Sequence, residues 1–239
     1  MVAELTTFAP VVDCAELTTR QINQAIRQLI DEGGAVDILV TNPAARHNLA
    51  VALETETNVL FDGPVGWYAA GMNDGAHVVV QGNCGWGVAE CMMSGRVEIN
   101  GHAGSGAAAS IRGGLVYVKG NAGARAGIAM KGGMLVVGGD VGYMSGFMMQ
   151  RGTMVVCGDA ADGLGDSLYE GVIYVAGSVE SYGADAVEAP LTDADVATLA
   201  AALDLFGIDT PPGTFRKVEA GRKLWNFSTQ EPEMWKVAL

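Results

Sequence analysis

The chain has 239 residues, 49% hydrophobic and only 17% charged, which is long enough to bury one core unaided and too apolar to remain disordered. Fourteen Lys and Arg against twenty-seven Asp and Glu give a net charge of −13, which argues against nucleic acid or an anionic membrane surface as a partner. Glycine occurs 34 times, about twice its ordinary share of roughly 7%, with no three-residue period, so collagen is excluded and the fold must use glycine in some other way.

The opening residues, Met1-Val2-Ala3-Glu4-Leu5, lack the basic and apolar regions of a secretory signal, and no run of eighteen apolar residues occurs, so a soluble cytoplasmic protein is expected. Thr18 and Gln21 have capping-box spacing ahead of Ile22, Ile26, Leu29 and Ile30, which predicts an amphipathic helix closed by Gly33-Gly34. A strand over 36–40, a short helix after Asn42-Pro43 and a strand over 58–61 follow. Residues 1–62 together read as an α/β cap.

A nineteen-residue repeat begins at Gly63. Gly63, Gly82, Gly101, Gly120, Gly139, Gly158 and Gly177 form an unbroken column, and Gly95, Gly114, Gly133, Gly152 and Gly171 form a second, thirteen residues into their turns. Gly66, Gly85, Gly104, Gly123 and Gly142 form a third, three residues in. Each turn then carries a five-residue strand pattern whose second and fourth members are apolar: Val78/Val80, Val97/Ile99, Val116/Val118, Leu135/Val137, Met154/Val156 and Ile173/Val175. So short a period leaves no room for a crossover helix. The chain must coil as a right-handed parallel β-helix, about 29 Å long at roughly 4.8 Å per turn. Asn83, Asn121, Asp140, Asp159 and Ser178 follow the leading glycines as turn residues, and Met92, Ile111, Met130, Met149 and Leu168 read as a further buried stack.

The period stops after Ser178, so residues 63–178 are the coil and 179–239 a helical and extended C-terminal segment. Thr192 and Asp195 cap a second helix with Val196, Leu199, Ala200 and Leu203 on one face, ending at Gly207 and expected over the last coil. The tail beyond Pro211-Pro212 carries Phe215, Leu224, Trp225, Phe227 and Trp235. The outward strand column runs Val79, Glu98, Tyr117, Val136, Val155, Tyr174 and turns apolar after the second coil, where a solvent-facing parallel sheet ought to be polar. Either the terminal segments or another subunit must cover it. Tyr117, Val136, Val155 and Tyr174, with Trp225, Phe227 and Trp235, are therefore the candidate interface residues.

No catalytic, cofactor-binding or metal-ligating residue is assigned on this chain. Cys14, Cys84, Cys91 and Cys157 form no CxxC pair, and His47, His77 and His102 share no metal spacing. Gly104-Ser105-Gly106-Ala107-Ala108-Ala109 matches GxGxxA but sits inside the repeat, where no βαβ unit forms, and no GxxxxGK[ST] occurs. Cys84 and Cys91 read as small core groups ahead of a thiol site. Asp162, Asp166 and Glu170 crowd one corner, as the carboxylates of a polysaccharide-active β-helix enzyme would, and read first as a solvated acidic corner. Arg112, Lys131 and Arg151 line successive turns, where an anion path is the alternative to simple solvation.

The pattern resembles the GXGXG domain family, the β-helical domain found at the end of the glutamate synthase large subunit and in one subunit of formylmethanofuran dehydrogenase. Gly82-Asn83-Cys84-Gly85-Trp86-Gly87-Val88-Ala89-Glu90, Gly120-Asn121-Ala122-Gly123 and Gly139-Asp140-Val141-Gly142-Tyr143-Met144-Ser145-Gly146 carry the likeness. Val156-Cys157-Gly158-Asp159, Gly165-Asp166-Ser167-Leu168-Tyr169-Glu170, Gly183-Ala184-Asp185 and Arg222-Lys223-Leu224-Trp225 are most similar to the free-standing version, a subunit of N-methylglutamate synthase (methylamine-glutamate N-methyltransferase) and related complexes.

The resemblance implies a non-catalytic structural subunit in a hetero-oligomer, bridging a class II glutamine-amidotransferase-like subunit and a second subunit that holds FMN and an iron–sulfur cluster. Met1 followed by Val2 agrees, because that amidotransferase class needs an amino-terminal cysteine nucleophile. A subunit of a true glutamate synthase, a scaffold like the β-helical one of formylmethanofuran dehydrogenase, and a stand-alone polysaccharide-active enzyme are the alternatives.

Overall fold

The computed structural model describes residues 10–32 and 37–222. Strands β1 (Val11–Asp13), β2 (Asp37–Thr41), β3 (Asn58–Asp62), β4 (Asp74–Val80), β5 (Ser94–Ile99), β6 (Leu115–Val118), β7 (Lys131–Val137), β8 (Arg151–Val156) and β9 (Val172–Val175) stack in parallel in chain order. β10 (Ala186–Ala189) and β11 (Arg216–Ala220) complete an eleven-stranded sheet, with β11 antiparallel to both β9 and β10. From β4 onward the register advances by the sequence period: His77 pairs with Arg96, then Leu115, Met134, Thr153 and Val172. A second parallel column of single bridges runs from Val65 through Cys84, Ala103, Ala122, Val141 and Ala160 to Val179. Two columns in register at every turn define a parallel β-solenoid, and the fold expected from the glycine columns is the observed one.

The winding starts earlier than the glycines do. Asp37 pairs with Asn58, a step of twenty-one residues, so the chain between β2 and β3 is itself a coil. No helix follows Asn42-Pro43. Ala44, Ala45, Asn48, Ala50 and Ala52 hold left-handed φ of 47–56°, and Ala45, Asn48 and Ala52 donate their N–H groups to Pro64, Trp67 and Gly71 of the next coil. Ala70, Ala89 and Ala108 take the same left-handed conformation in later coils. Inter-coil hydrogen bonds offset a strain of about 1 kcal/mol at each such residue, and the helix-forming composition of this stretch is overridden.

Inside, the expected columns are buried. Ile38/Val40, Val59/Phe61 and the six later pairs are at most 1% exposed, and Met92, Ile111, Met130 and Met149 are fully buried with Leu168 at 2%. Here methionine fills a narrow prism. The leading glycines make room for side-chain rungs. Asn83 Oδ1 accepts the N–H of His102, His102 Nδ1 that of Asn121, Asn121 Oδ1 that of Asp140, Asp140 Oδ1 that of Asp159, and Asp159 Oδ1 that of Ser178, all within 2.7–3.0 Å. A Cβ at Gly101 would stand 2.5 Å from Asn83 Oδ1, in the space that rung occupies. His102 accepts through Nδ1, so its neutral ring carries the proton on Nε2.

Helix α1 (Thr19–Asp31) closes the first coil. Its capping box at Thr18 and Gln21 forms as the spacing predicts, and Ile22, Ile26 and Ile30 face the core. Asn23 reaches across: Nδ2 donates to Asn48 O at 2.7 Å and Oδ1 accepts Ala50 N–H at 2.8 Å, while Arg27 donates to Val51 O at 2.8 Å. These side chains stand in for the coil that is missing below. Asn23→Ala is expected to cost about 1 kcal/mol, because it removes the acceptor of the buried Ala50 N–H, while the exposed Asn48 carbonyl can turn to water; urea unfolding measures it.

Helix α2 (Asp193–Leu205) lies along the outer face of the sheet instead of over the last coil. Leu199, Ala202, Leu203 and Phe215 pack on Tyr117, Val136, Val155 and Tyr174. The buried helix face is Asp195, Leu199, Ala202 and Leu203, rotated from the Val196/Leu199/Ala200/Leu203 face expected from sequence. Asp195 causes the rotation, since its carboxylate is drawn inward by Tyr174 and Lys217. Gly207, at φ +63°, lies just past the end of the helix, as expected.

Candidate functional site

The outer sheet face divides at β6. From β6 to β9 it is apolar and covered by α2, so Tyr117, Val136, Val155 and Tyr174 are at most 7% exposed and are not offered to another chain. The structure decides this point in favour of self-coverage, since one Ala- and Leu-rich helix of the same chain, with Phe215 beyond it, supplies the apolar lid. Trp225, Phe227 and Trp235 lie outside the described residues.

From β2 to β5 the face has polar flanking columns and is not covered by α2. It floors a cleft of about 770 Å³ whose end wall is the C-terminus of α2, Asp204 to Gly207. Leu60 and Val79 line the middle, with Asn58, His77 and Arg96 on one side and Gln81, Asn100 and Lys119 on the other. His77 Nε2 lies 2.6 Å from Glu98 Oε1, and Arg96 Nε lies 2.7 Å from the same oxygen, an ion pair whose N–H is not aligned for hydrogen bonding. The Arg96 guanidinium sits 4.9 Å over the Phe206 ring, which stacks on Tyr117 at 3.9 Å. Burial pushes the Glu98 carboxyl up, but the His77 hydrogen bond and the Arg96 charge outweigh it and hold the group below its ordinary value. A carboxylate so held is a weak base, suited to recognition or anchoring more than to proton transfer.

The second unassigned feature is an aromatic corner. His47, Trp67 and Trp86 stack at centroid distances of 4.6 and 5.4 Å along the coil axis. His47 Nδ1 also accepts the Trp67 N–H at 2.9 Å. The third glycine column makes the stack possible, for a Cβ at Gly85 or Gly104 would stand 2.5 Å from the ring of Trp67 or Trp86. Trp67 and Trp86 nonetheless remain 45% and 58% exposed, and Tyr68 beside them 47%. Sequence motifs alone single out Trp86 only as a neighbour of the glycines. Spacing carries the stronger signal, since Trp67 and Trp86 are nineteen residues apart and must share a column.

The other candidates dissolve into local structure. Asp162 pairs with Ser181, Asp166 with the Ala184 N–H and Glu170 with Arg151, each across one coil, and Asp166 also accepts from its neighbour Ser167, so the acidic corner is occupied by local and inter-coil ties. Lys131 pairs in register with Arg151, and Arg151 is occupied by Glu170 at 2.7 Å. The GxGxxA run forms a coil corner, with Gly106 and Ala108 at left-handed φ. Among the described residues, no three or more His, Cys, Asp or Glu are grouped to hold a metal ion, and no helix is long and apolar enough to cross a membrane.

Cys84 is buried and burial pushes its thiol up to about 12, while Cys157, half-covered beside α2, rises to about 11. Burial raises Cys14 as well, and Cys91 is exposed. Under native conditions a maleimide is expected to modify Cys91 alone, with Cys14, Cys84 and Cys157 reacting only after unfolding; peptide mass analysis reads the result.

No family model matches the chain. It is similar to Protein GlxC of Rhizobium meliloti (strain 1021), with 43% identity over 69 residues. The match covers 29% of this chain and 30% of that relative, so it spans under a third of either.

Proposed function

We propose that this chain is a non-catalytic structural subunit of a glutamate-synthase-like complex, and in its finer form of N-methylglutamate synthase in the cytoplasm. It would bridge a class II glutamine-amidotransferase-like subunit and an FMN and iron–sulfur subunit, and those partners would hold the cofactors and the reacting atoms. The observation that carries the reading is the coil itself. Glycine columns of the GXGXG type run from Gly63 to Gly177 through every coil after the first, and the polar side chains beside them are spent on inter-coil ties. The partial similarity to Protein GlxC adds a second line of support.

The test is to isolate the native assembly with this chain as bait and to assay the chain alone. Co-purification with an amidotransferase-like chain and a subunit showing flavin and iron–sulfur absorbance is expected, together with amine transfer to glutamate by the assembly and none by the isolated chain. Recovery without either partner, or transfer by the chain alone, overturns the reading.

A further inference from the structure

We infer that the corner formed by Trp67, Tyr68, Met72, Trp86 and Met93 is the docking surface for a basic-rimmed protein partner. Under the function proposed above, that partner is one of the two other subunits, so the inference rests on that reading. The five side chains are 45–58% exposed and belong to two successive coils. Backbone bonds fix their adjacency: Tyr68 N–H donates to Trp86 O at 2.8 Å, Met72 N–H to Glu90 O at 2.7 Å and Met93 N–H to Asn73 O at 2.8 Å. Aromatic and methionine side chains left in water together on a rigid support have the composition of an interface centre. The support is rigid because the Trp rings are stacked and seated over glycines. Little conformational entropy remains for them to lose on binding.

The rim says what kind of surface fits. Residues 52–56 run directly beside 71–75, through Ala52 N–H to Gly71 O at 2.8 Å and Asp74 N–H to Leu53 O at 2.7 Å, which brings Glu54 and Glu56 against the methionine end. Asp74 and Glu90 flank Met72 in the chain and across the coil. Arg112 borders Met93 from the next coil, and Arg46 is engaged by the carbonyls of Asn42 and Ala15. Four carboxylates around an apolar centre select a partner surface carrying Lys or Arg at its edge. A second copy of this chain would set the same acidic rim against itself across a two-fold axis, so the surface favours a different chain as its partner.

The experiment is a titration of this chain against each purified partner subunit, with Trp67→Ala/Trp86→Ala, Met93→Asp and Glu54→Lys/Glu56→Lys as variants. All three change exposed side chains, and circular dichroism with thermal melting checks that each folds. The tryptophan pair is expected to weaken one of the two associations roughly 100-fold, and the aspartate variant roughly 10-fold. Charge reversal is expected to lose roughly 10-fold with a flatter salt dependence. Wild-type binding that all three variants retain overturns the surface and leaves the proposed function standing. Sedimentation showing that the wild-type chain self-associates and the tryptophan pair does not overturns the heterologous partner. Binding of neither subunit by the wild-type chain overturns the proposed function itself.

Discussion

Gly142→Ala is expected to lower unfolding stability by about 3 kcal/mol, read as a fall in the urea midpoint. A Cβ at Gly142 would stand 2.6 Å from Ala124 N, 2.8 Å from Gly123 C and 3.0 Å from Ala124 Cα, all backbone of the preceding coil. Backbone at that distance yields only if the two coils separate. Separation would stretch the Gly142 N–H bond to Ala122 O, 3.0 Å long, and the bridges that Val141 makes on both sides. Gly106→Ala is the control. Its φ is +71°, its nearest neighbour would be Gly87 N at 3.9 Å, and Ala108 two residues on already holds φ 58°. There only the left-handed backbone is costly, at about 1 kcal/mol. Equal losses at the two positions would show that crowding between coils is not what the third glycine column relieves.

That contrast explains why the fold is so legible in the sequence. Coil spacing leaves no room for a side chain at some positions, so glycine recurs wherever the backbone of one turn touches the next, and the inward pairs such as Val97/Ile99 follow the same period. The first coil is hidden for the converse reason. Between Asn42 and Ala52 the left-handed positions are filled by Asn, which tolerates that conformation, and by Ala, which the inter-coil hydrogen bonds hold in it, so no glycine signature is left, and its twenty-one-residue step breaks the period. Composition there favours a helix, and only the bonds to the following coil reveal otherwise.

The candidate surfaces are legible in part. The polar start of the outward columns, with His77, Arg96 and Glu98, is visible in the same alternation that shows the later members to be apolar, but periodicity cannot say where a lid ends. The end of α2 decides it, because Phe206 stops over Tyr117 and Arg96 and leaves the first coils open. Sequence likewise cannot assign the lid to this chain or to a partner, since an apolar column looks the same under either. What settles it is a polar contact between two segments twenty-one residues apart, Tyr174 to Asp195.

Asp195→Ala is expected to cost about 3 kcal/mol and to release α2 from the sheet, because the change leaves the buried Tyr174 hydroxyl and the Thr192 cap without their acceptor and leaves the largely buried Lys217 with Glu219, 3.5 Å away, as its remaining ion pair. Asp195 Oδ1 accepts the Tyr174 hydroxyl at 2.5 Å, and Oδ2 accepts from Lys217 Nζ at 3.1 Å and from the Thr192 N–H and hydroxyl at 2.7 Å each. The Asp195 and Lys217 side chains are 11% and 13% exposed. Burial pushes the Asp195 carboxyl up, yet these four donors outweigh it and hold the group well below the ordinary carboxylate range. The folded group therefore ionises at lower pH than the unfolded one. Its contribution is complete above the unfolded value of about 4 and is lost as pH falls below that toward the folded value, where the unfolded chain binds the proton first. Near neutrality this group adds no pH dependence. Asp195→Asn keeps one acceptor oxygen, for the Thr192 cap and Lys217 or for Tyr174 but not for both, and loses the charge facing Lys217, so it should cost less than the alanine variant at pH 7 and remove this part of the acid sensitivity. Chemical unfolding of the three proteins at pH 7 and pH 3 measures both effects. An unchanged acid sensitivity in the asparagine variant would assign the loss to other carboxylates. Tyr117 and Tyr174 fluorescence quenching should follow α2 release in the alanine variant, since the helix is what shields both rings.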